Sequence, residues 1–384
     1  MSERSSVPCR FCAATTGSLV LDLGRQPASD LFPAGGDPLS DPVHPLQLWV
    51  CGRCALAQLV DDPTTPEEPR GVEPEAMRRQ ARDAVSRAAQ AGLLDDAATV
   101  REFGSPHGGS WLGLLAEQGL REVAPGTPAD VVVDCIGIMH EADQEDGLRR
   151  RTDAVAPGGV LLVEFHAFAT IVEHRQWNAL RHGHYAYYSV TALVGMLESV
   201  GFETTHGFWF ELYGGTVMLA ARRDREPGPR DRGSVDALLA DDVRIGATDP
   251  DRAGELDAAA GRIAEEVRRH LIEARAAGRR VVGYGAASRA VPLLHRAGVD
   301  ADLLPVIADA AEGKQGRRMP ATAIPIVAPE DLLGHRPDEV VLFVSDLLED
   351  VRAALPEVEA SGARWVIVDP AVVVVEPARQ EARA

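Results

Sequence analysis

The sequence is short of positive charge. Its 39 lysines and arginines stand against 58 aspartates and glutamates, which gives a formal net charge of −19 at pH 7. Because nucleic acids and anionic membranes are bound by clustered basic side chains, this balance argues against either as a partner. No run of about eighteen apolar residues occurs, so no transmembrane helix is predicted. The first residues also lack the apolar stretch of a signal peptide, and we expect a cytoplasmic protein.

Cysteine is scarce too, with five in 384 residues, an odd number that does not suit a secreted disulfide framework. Four of them form two CxxC pairs, Cys9 with Cys12 and Cys51 with Cys54. Two such pairs can surround one tetrahedral ion and leave no position for a substrate. The spacing therefore predicts a structural zinc ion, with four free or redox-active thiols as the alternative. Cys135 stands apart in an apolar run and is interpreted as a buried small residue.

Length and hydrophobic periodicity predict several domains. Residues 1–61 are interpreted as a zinc-binding module of short strands, and residues 62–97 as a linker and a helix. Over 98–223, apolar runs alternate with helical segments, as in a largely parallel, doubly wound sheet. A helical connector, 224–278, leads to a second unit of the same kind, 279–384. The predicted fold class is thus α/β: two tandem Rossmann-like, doubly wound domains preceded by a small zinc-binding module.

Two glycine-rich turns lie between a predicted strand and a predicted helix. They are "EFGSPHGG", residues 102–109, and "GYGAASR", residues 283–289. At such turns the backbone can approach a cofactor or a phosphate group closely, and Arg289 would lie in the first helical turn after the second one. A tight structural turn explains the first motif nearly as well. Lys314 and Arg317, further along the chain, suit phosphate binding or simply a solvated loop.

The segment "LRHGHYAYYS", residues 180–189, gathers two histidines and three of the chain's five tyrosines. A solvated, aromatic-rich turn at the start of a helix is one interpretation, since an isolated histidine is commonly structural. A catalytic site is the other, because histidine changes its charge near neutral pH. The segment by itself does not decide between them.

Together these segments resemble the S-adenosylmethionine-dependent C-methyltransferases that act on nucleotide-linked deoxysugars. The resemblance runs over nearly the whole chain. It includes the two cysteine pairs with "LDLGRQPASDLF" between them, the "EFGS…GG" turn, the histidine segment and the "YGG" strand at 213–215. The most diagnostic stretch is "GYGAASR…DAAEGKQGRRMP…IPI", residues 283–326.

The resemblance implies specific roles for several residues. Family members carry a Tyr-His-Glu-His segment in which the second histidine is the general base, and His184 occupies that position. A base is needed because carbon next to a ketone must lose a proton before it can attack a methyl group. His182 or Tyr185 would orient the substrate or stabilise the enolate. S-adenosylmethionine would bind at the first glycine turn, and the C-terminal unit would bind a small-molecule acceptor, most plausibly a nucleotide sugar.

The candidate residues form two sets. The cofactor contacts are Glu102, Gly104, Ser105, His107 and Gly108, and the substrate contacts are Tyr284, Arg289, Lys314 and Arg317.

The sequence departs from the family pattern in places. Arg181 and Gly183 stand where the family has tyrosine and glutamate, and the acidic residue that usually binds the cofactor ribose is missing. Glu102 and Glu73 are candidate substitutes for it. Other exchanges are Pro106-His107 for an Asn-Asp pair and Ser345-Asp346 for Trp-Asn.

Three functional hypotheses follow. The first is methyl transfer to carbon next to the ketone of a 4-keto-deoxysugar nucleotide. The second keeps the reaction type but changes the acceptor to another ketone or hydroxyl of secondary metabolism. The third is a non-catalytic member that binds a nucleotide sugar or a partner enzyme. The missing ribose carboxylate favours the third.

Overall fold

The computed structural model describes residues 7–64, 73–106, 108–224 and 226–376, so the candidate residue His107 lies outside the described part. This part of the chain contains one β-sheet of four strands and two of six. The predicted fold class, a small cysteine-containing module followed by two α/β units, is confirmed. Among the described residues, no helix is both long enough and apolar enough to cross a membrane.

The N-terminal module, residues 7–64, is built from short antiparallel strands. They are β1 (Gly17–Pro27), β2 (Val43–Cys51) and β3 (Ala57–Leu59). Buried Leu21, Leu46 and Leu48 form part of its core. At Gly17 the backbone crosses Trp49 so closely that a Cβ would lie 2.2 Å from the indole ring. Glycine is therefore required where β1 begins.

The central unit surrounds a six-stranded sheet. Its elements are α1 (Glu75–Gln90), β4 (Thr99–Gly104), α2 (Leu112–Glu117), β5 (Arg121–Glu122), β6 (Ala129–Cys135), α3 (Gln144–Asp153), β7 (Val155–His166), α4 (Phe168–Glu173), β8 (Ala186–Tyr187), α5 (Val190–Ser199), β9 (Phe202–Phe210) and β10 (Thr216–Arg223). The strand order is β5-β4-β6-β7-β10-β9. β5, β4, β6 and β7 run parallel, whereas β10 is antiparallel to both of its neighbours.

The motif "YGG" does not form a strand, contrary to the expectation from the sequence. It is the turn between β9 and β10, and Tyr213 takes a left-handed conformation with φ 56°. A Cβ at Gly215 would lie 2.1 Å from Thr170 Oγ1 on α4. The glycine therefore lets this turn pack against the helix.

Strand β8 belongs to a different sheet from the rest of the central unit. It pairs with β3, with Ala57 opposite Tyr187 and Gln58 opposite Ala186. The four-stranded sheet of the N-terminal module thus takes its last strand from the segment that directly follows His184. This pairing was not predicted, because nothing in a two-residue strand reveals its partner.

Two helices, α6 (Arg232–Ile245) and α7 (Pro250–Ala276), lead to the C-terminal unit. α7 begins where the Asp249 side chain accepts from Asp251 N, with Pro250 at the first position, an arrangement typical of a helix start. The C-terminal elements are β11 (Val281–Tyr284), α8 (Ala290–Ala297), β12 (Ile307–Ala308), β13 (Ile326–Val327), β14 (Glu339–Leu342), α9 (Leu348–Ala354), α10 (Pro356–Ala360), β15 (Arg364–Ile367) and β16 (Val373–Val374). The strand order is β13-β12-β11-β14-β15-β16, with β16 alone antiparallel to its neighbour.

Candidate active site and metal centre

The four cysteines of the two CxxC pairs converge in the N-terminal module. Their sulfur atoms all lie within 4.8 Å of one another, with 3.5 Å between Cys9 and Cys54 and 3.6 Å between Cys12 and Cys51. Ligands about 2.3 Å from a tetrahedral zinc ion are about 3.8 Å apart, so the cluster fits zinc with little movement. The hydrogen bond with Cys54 lowers the pKa of Cys9 and raises that of Cys54, so Cys9 is the favoured thiolate of this pair.

The first glycine turn opens at the carboxyl end of β4. Gly108 and Gly109 adopt positive φ angles of 92° and 91°, which favour glycine. A Cβ built on Gly104 meets no atom within 4 Å, so the backbone there faces open space. Ser105 forms an isolated bridge with Gly108 and thereby closes the turn. A backbone of this shape fits the close approach of a cofactor.

A buried acidic side chain, Glu164, lies at the same edge of the sheet. Gly104 is in register with Cys135, and Cys135 is in register with Glu164 of β7. Glu164 is only 2% exposed, and its carboxylate accepts a hydrogen bond from Gln80 on α1. Burial raises the pKa of Glu164 to about 8, which favours its protonated form.

The two candidates for the missing ribose ligand both lie at this turn. Glu102 Oε1 accepts from Trp111 N at 2.6 Å, directly before α2, so one carboxylate oxygen is already engaged there. Glu73 Oε1 lies 3.6 Å from the position that a Cβ on Gly109 would take. The same Glu73 side chain pairs with Arg78 at 3.3 Å. Glu73 therefore reaches the turn from outside the central sheet.

His184 is buried close to the same turn, with 6% of its surface exposed. Its ring packs edge to face against His140, with 4.6 Å between the ring centroids. His140 ends a short 3-10 turn that begins after Gly137. A Cβ on Gly137 would lie 2.9 Å from Gly104 O, so this turn packs directly on the first glycine turn.

Arg181 is a direct partner of His184. Its Nε donates to His184 Nε2 at 2.8 Å. Because a guanidinium group only donates, this contact uses the lone pair of His184 Nε2 as the acceptor. The arginine that replaces the family's tyrosine thus places a positive charge beside the proposed base.

The other two catalytic candidates face the N-terminal module. His182 is 2% exposed, and its Nε2 lies 3.1 Å from Pro45 O. Burial lowers the pKa of His182. The Tyr185 ring lies under the guanidinium of Arg10, 4.8 Å from its centroid. Both side chains thus contact the N-terminal module, and their catalytic roles stay predictions.

The four substrate candidates do not share one set of surroundings. Lys314, the chain's only lysine, is 5% exposed and donates to Ala286 O at 2.8 Å, inside the second glycine turn. Arg289 pairs with Asp346 and lies 5.9 Å from the Tyr213 ring of the central unit. In contrast, Arg317 donates to Phe32 O of the N-terminal module at 2.8 Å. Tyr284 packs against Trp365 within the C-terminal core.

A cleft of about 610 Å³ lies between α1 and the end of β9. Its lining includes Gln80, Trp209, Tyr213 and Asp346. Gln80 also contacts Glu164 of β7, so one lining residue connects the cleft to the central sheet. Central and C-terminal units therefore share one opening, which suits a ligand held between them.

Comparisons with known proteins agree with this geometry. A family model described as "Putative zinc binding domain" matches residues 9–68. A second, described as "C-methyltransferase C-terminal domain", matches residues 211–370. A curated relative, C-methyltransferase NovU of Streptomyces niveus, is 24% identical and spans 94% of this chain and 95% of its own. The chain belongs to the C-methyltransferase family. It is an S-adenosylmethionine-dependent methyltransferase, and its N-terminal module is a zinc-binding domain.

Solved structures overlap only part of this C-methyltransferase. Magnesium protoporphyrin IX methyltransferase of Synechocystis PCC 6803 is 12% identical and covers 39% of this chain and 84% of its own, with a TM-score of 0.29. An O-methyltransferase family protein of Burkholderia thailandensis is 15% identical and covers 40% of this chain and 59% of its own, with a TM-score of 0.30. These overlaps do not bear on the reaction or the substrate.

A valine at Gly104 tests the cofactor position. The space around Gly104 is open, so we expect the variant to fold normally and its affinity for S-adenosylhomocysteine to fall at least about tenfold, because the added side chain occupies the ligand's place. Isothermal titration would measure the affinity. Gly195→Val is the control, since Gly195 on α5 also has open space around it. Unchanged affinity in the Gly104 variant would place the cofactor elsewhere.

Sequence reasoning missed three residues of this C-methyltransferase site: His140, Asp62 and Gln80. A signal existed for His140, because it follows the carboxyl end of a parallel strand, where ligand sites of such sheets gather. No local signal existed for Asp62 in the predicted linker or for Gln80 within a helical pattern. Their roles depend on contacts with residues more than 80 positions away.

Proposed function

We propose that this C-methyltransferase methylates carbon next to the ketone of a nucleotide-linked 4-keto-deoxysugar in natural-product biosynthesis. One observation carries the proposal: a buried imidazole, His184, whose Nε2 accepts a hydrogen bond, lies beside the turn that packs on Gly104. A general base next to the methyl donor is what C-methylation of a ketone requires. Transfer to a hydroxyl group would not need a base able to remove a proton from carbon.

His184 Nε2 would take the proton from the acceptor carbon once Arg181 releases that nitrogen. Arg181 would then face the enolate oxygen and stabilise its negative charge. We assign this role to Arg181 because His182 and Tyr185 face the N-terminal module. When bound at Gly104, S-adenosylmethionine supplies an electrophilic methyl group. Burial of the site excludes water that would return a proton to the carbon.

Recognition of the nucleotide is assigned to the C-terminal unit. Its second glycine turn leads into α8, and the ammonium group of Lys314 lies against that turn. Backbone amides at the start of a helix and a nearby cation suit a diphosphate. Arg289 lies on the same turn and faces Tyr213 of the central unit, at the boundary of the shared cleft.

Isotope exchange tests the proposed reaction without methyl transfer. The wild-type protein, with S-adenosylhomocysteine and a 4-keto-deoxysugar nucleotide in deuterated water, should introduce deuterium next to the ketone. Mass spectrometry and proton NMR would locate the label. If both ligands are shown to bind and no label appears, the acceptor is a different compound.

A further inference from the structure

Gly183, directly before His184, is held on both sides by other parts of the chain. Its N–H donates to Asp62 Oδ2 at 2.5 Å, and its carbonyl oxygen lies 2.8 Å from His140 Nδ1. Gly183 adopts a φ of 84°, and a Cβ there would meet no atom within 4 Å. Glycine has the greatest backbone freedom of all residues. These two hydrogen bonds therefore remove that freedom next to the proposed base.

Asp62 is itself fixed within the N-terminal module. Its Oδ1 accepts from both the backbone N and the hydroxyl of Thr64, at 3.0 Å and 2.6 Å. A few residues earlier, Leu59 N donates to Tyr185 O at 3.1 Å, and β3 pairs with β8. β3 begins three residues after Cys54, the last of the clustered cysteines. The zinc module thus contacts the histidine segment immediately before and after His184.

We propose that Asp62 is a positioning residue for His184, through which the zinc module sets the geometry of proton removal. A hydrogen bond between a carboxylate and a backbone N–H is short and directional, so it can fix the orientation of the peptide that precedes the histidine. The proposal rests on the role assigned to His184 above. It gives the module a function in catalysis beyond supporting the fold.

Hydrogen exchange of the zinc-loaded, full-length protein tests the contact independently of any substrate. In Asp62→Ala, amides of residues 183–187 should exchange at least about tenfold faster, because the segment opens more often. Asp62→Asn should restore most of the protection, since its carboxamide oxygen can still accept from Gly183 N. Asp61→Ala is the control, because Asp61 is the exposed neighbour. Unchanged exchange in Asp62→Ala would overturn the proposal.

Kinetics separate positioning from general stability. With the acceptor of the wild-type reaction, Asp62→Ala should lower kcat by about tenfold to a hundredfold, the cost of a misplaced catalytic group. The KM for the acceptor, the affinity for S-adenosylhomocysteine and the zinc content should stay near wild type, and Asp62→Asn should recover much of kcat. An equal loss in Asp61→Ala, or a loss confined to KM, would contradict the proposal.

The two proposals fail in different ways. Suppose that amide hydrogen exchange is faster in Asp62→Ala but the wild-type protein is inactive on 4-keto sugars. The proposed substrate would then be refuted, and the Asp62 contact would remain supported. If the wild-type protein is active on these sugars and the Asp62 variants keep its amide exchange and its kcat, the positioning role would be refuted and the proposed function would remain supported.

Discussion

Replacing His184 by alanine should reduce methyl transfer at least about a hundredfold, the usual contribution of a positioned general base. Deuterium exchange next to the acceptor ketone should fall to the same extent, because proton removal precedes methylation. The imidazole is buried beside His140, and its Nε2 accepts from Arg181, so a lone pair becomes available for a proton when that contact opens. Initial-rate kinetics and the exchange assay would measure both losses.

Controls for the His184 variant distinguish loss of a base from loss of packing. Its affinity for S-adenosylhomocysteine should stay near the wild-type value, because the cofactor site is the turn at Gly104. His206→Ala is the matched variant, since His206 is a histidine of similar burial that stacks on Phe208 away from the site. His182→Ala should cost less than His184→Ala. If His184→Ala still exchanges deuterium next to the acceptor ketone at the wild-type rate, another group is the base.

Replacing Cys51 by serine should remove zinc from the protein and destabilise the N-terminal module. The wild type should contain about one zinc ion per chain, held by the four clustered cysteines. Zinc binding to structural sites contributes roughly 10 kcal/mol or more, far more than the core of so small a module can replace. Metal analysis and thermal unfolding would measure both effects. Because β3 anchors β8, methyl transfer should fall together with the zinc content.

Cys135→Ser is the matched control for zinc loss. Cys135 is equally buried but lies in β6 of the central sheet, outside the metal cluster. This variant should keep its full zinc content. Stoichiometric zinc in Cys51→Ser, or a wild-type protein that folds normally without any metal, would show that the four thiols do not form the predicted site.

Much of the fold could be predicted from the sequence because its signals are local. Apolar runs alternate with amphipathic segments over the two α/β units, and these runs became the strands of the two six-stranded sheets. The "YGG" prediction was wrong for an equally local reason. Strand-forming residues on both sides concealed the turn, and the close approach of Gly215 to Thr170 is visible only in the structure.

The candidate site was only partly predictable. The glycine turns and the cysteine pairs are recognised by the spacing of their residues along the chain, so the sequence indicates them directly. Arg317 looked equally suited to bind a substrate, yet its guanidinium donates to Phe32 O and attaches the N-terminal module to the C-terminal unit. A sequence shows that a residue is positively charged, but not which acceptor its side chain will reach.

The sequence by itself determined the class of this protein: its α/β character, its four-cysteine zinc cluster and its membership of the C-methyltransferases. These properties depend on residue type and on spacing along the chain. Only the tertiary structure decided that His140, Arg181 and Asp62 surround the histidine segment, and that the strand after His184 completes the sheet of the zinc module. The reason is physical. Hydrogen bonds and ring contacts depend on distances of a few ångströms between residues that can lie far apart along the chain, as Asp62 and Gly183 do at 121 positions, and those distances exist only after the domains have packed.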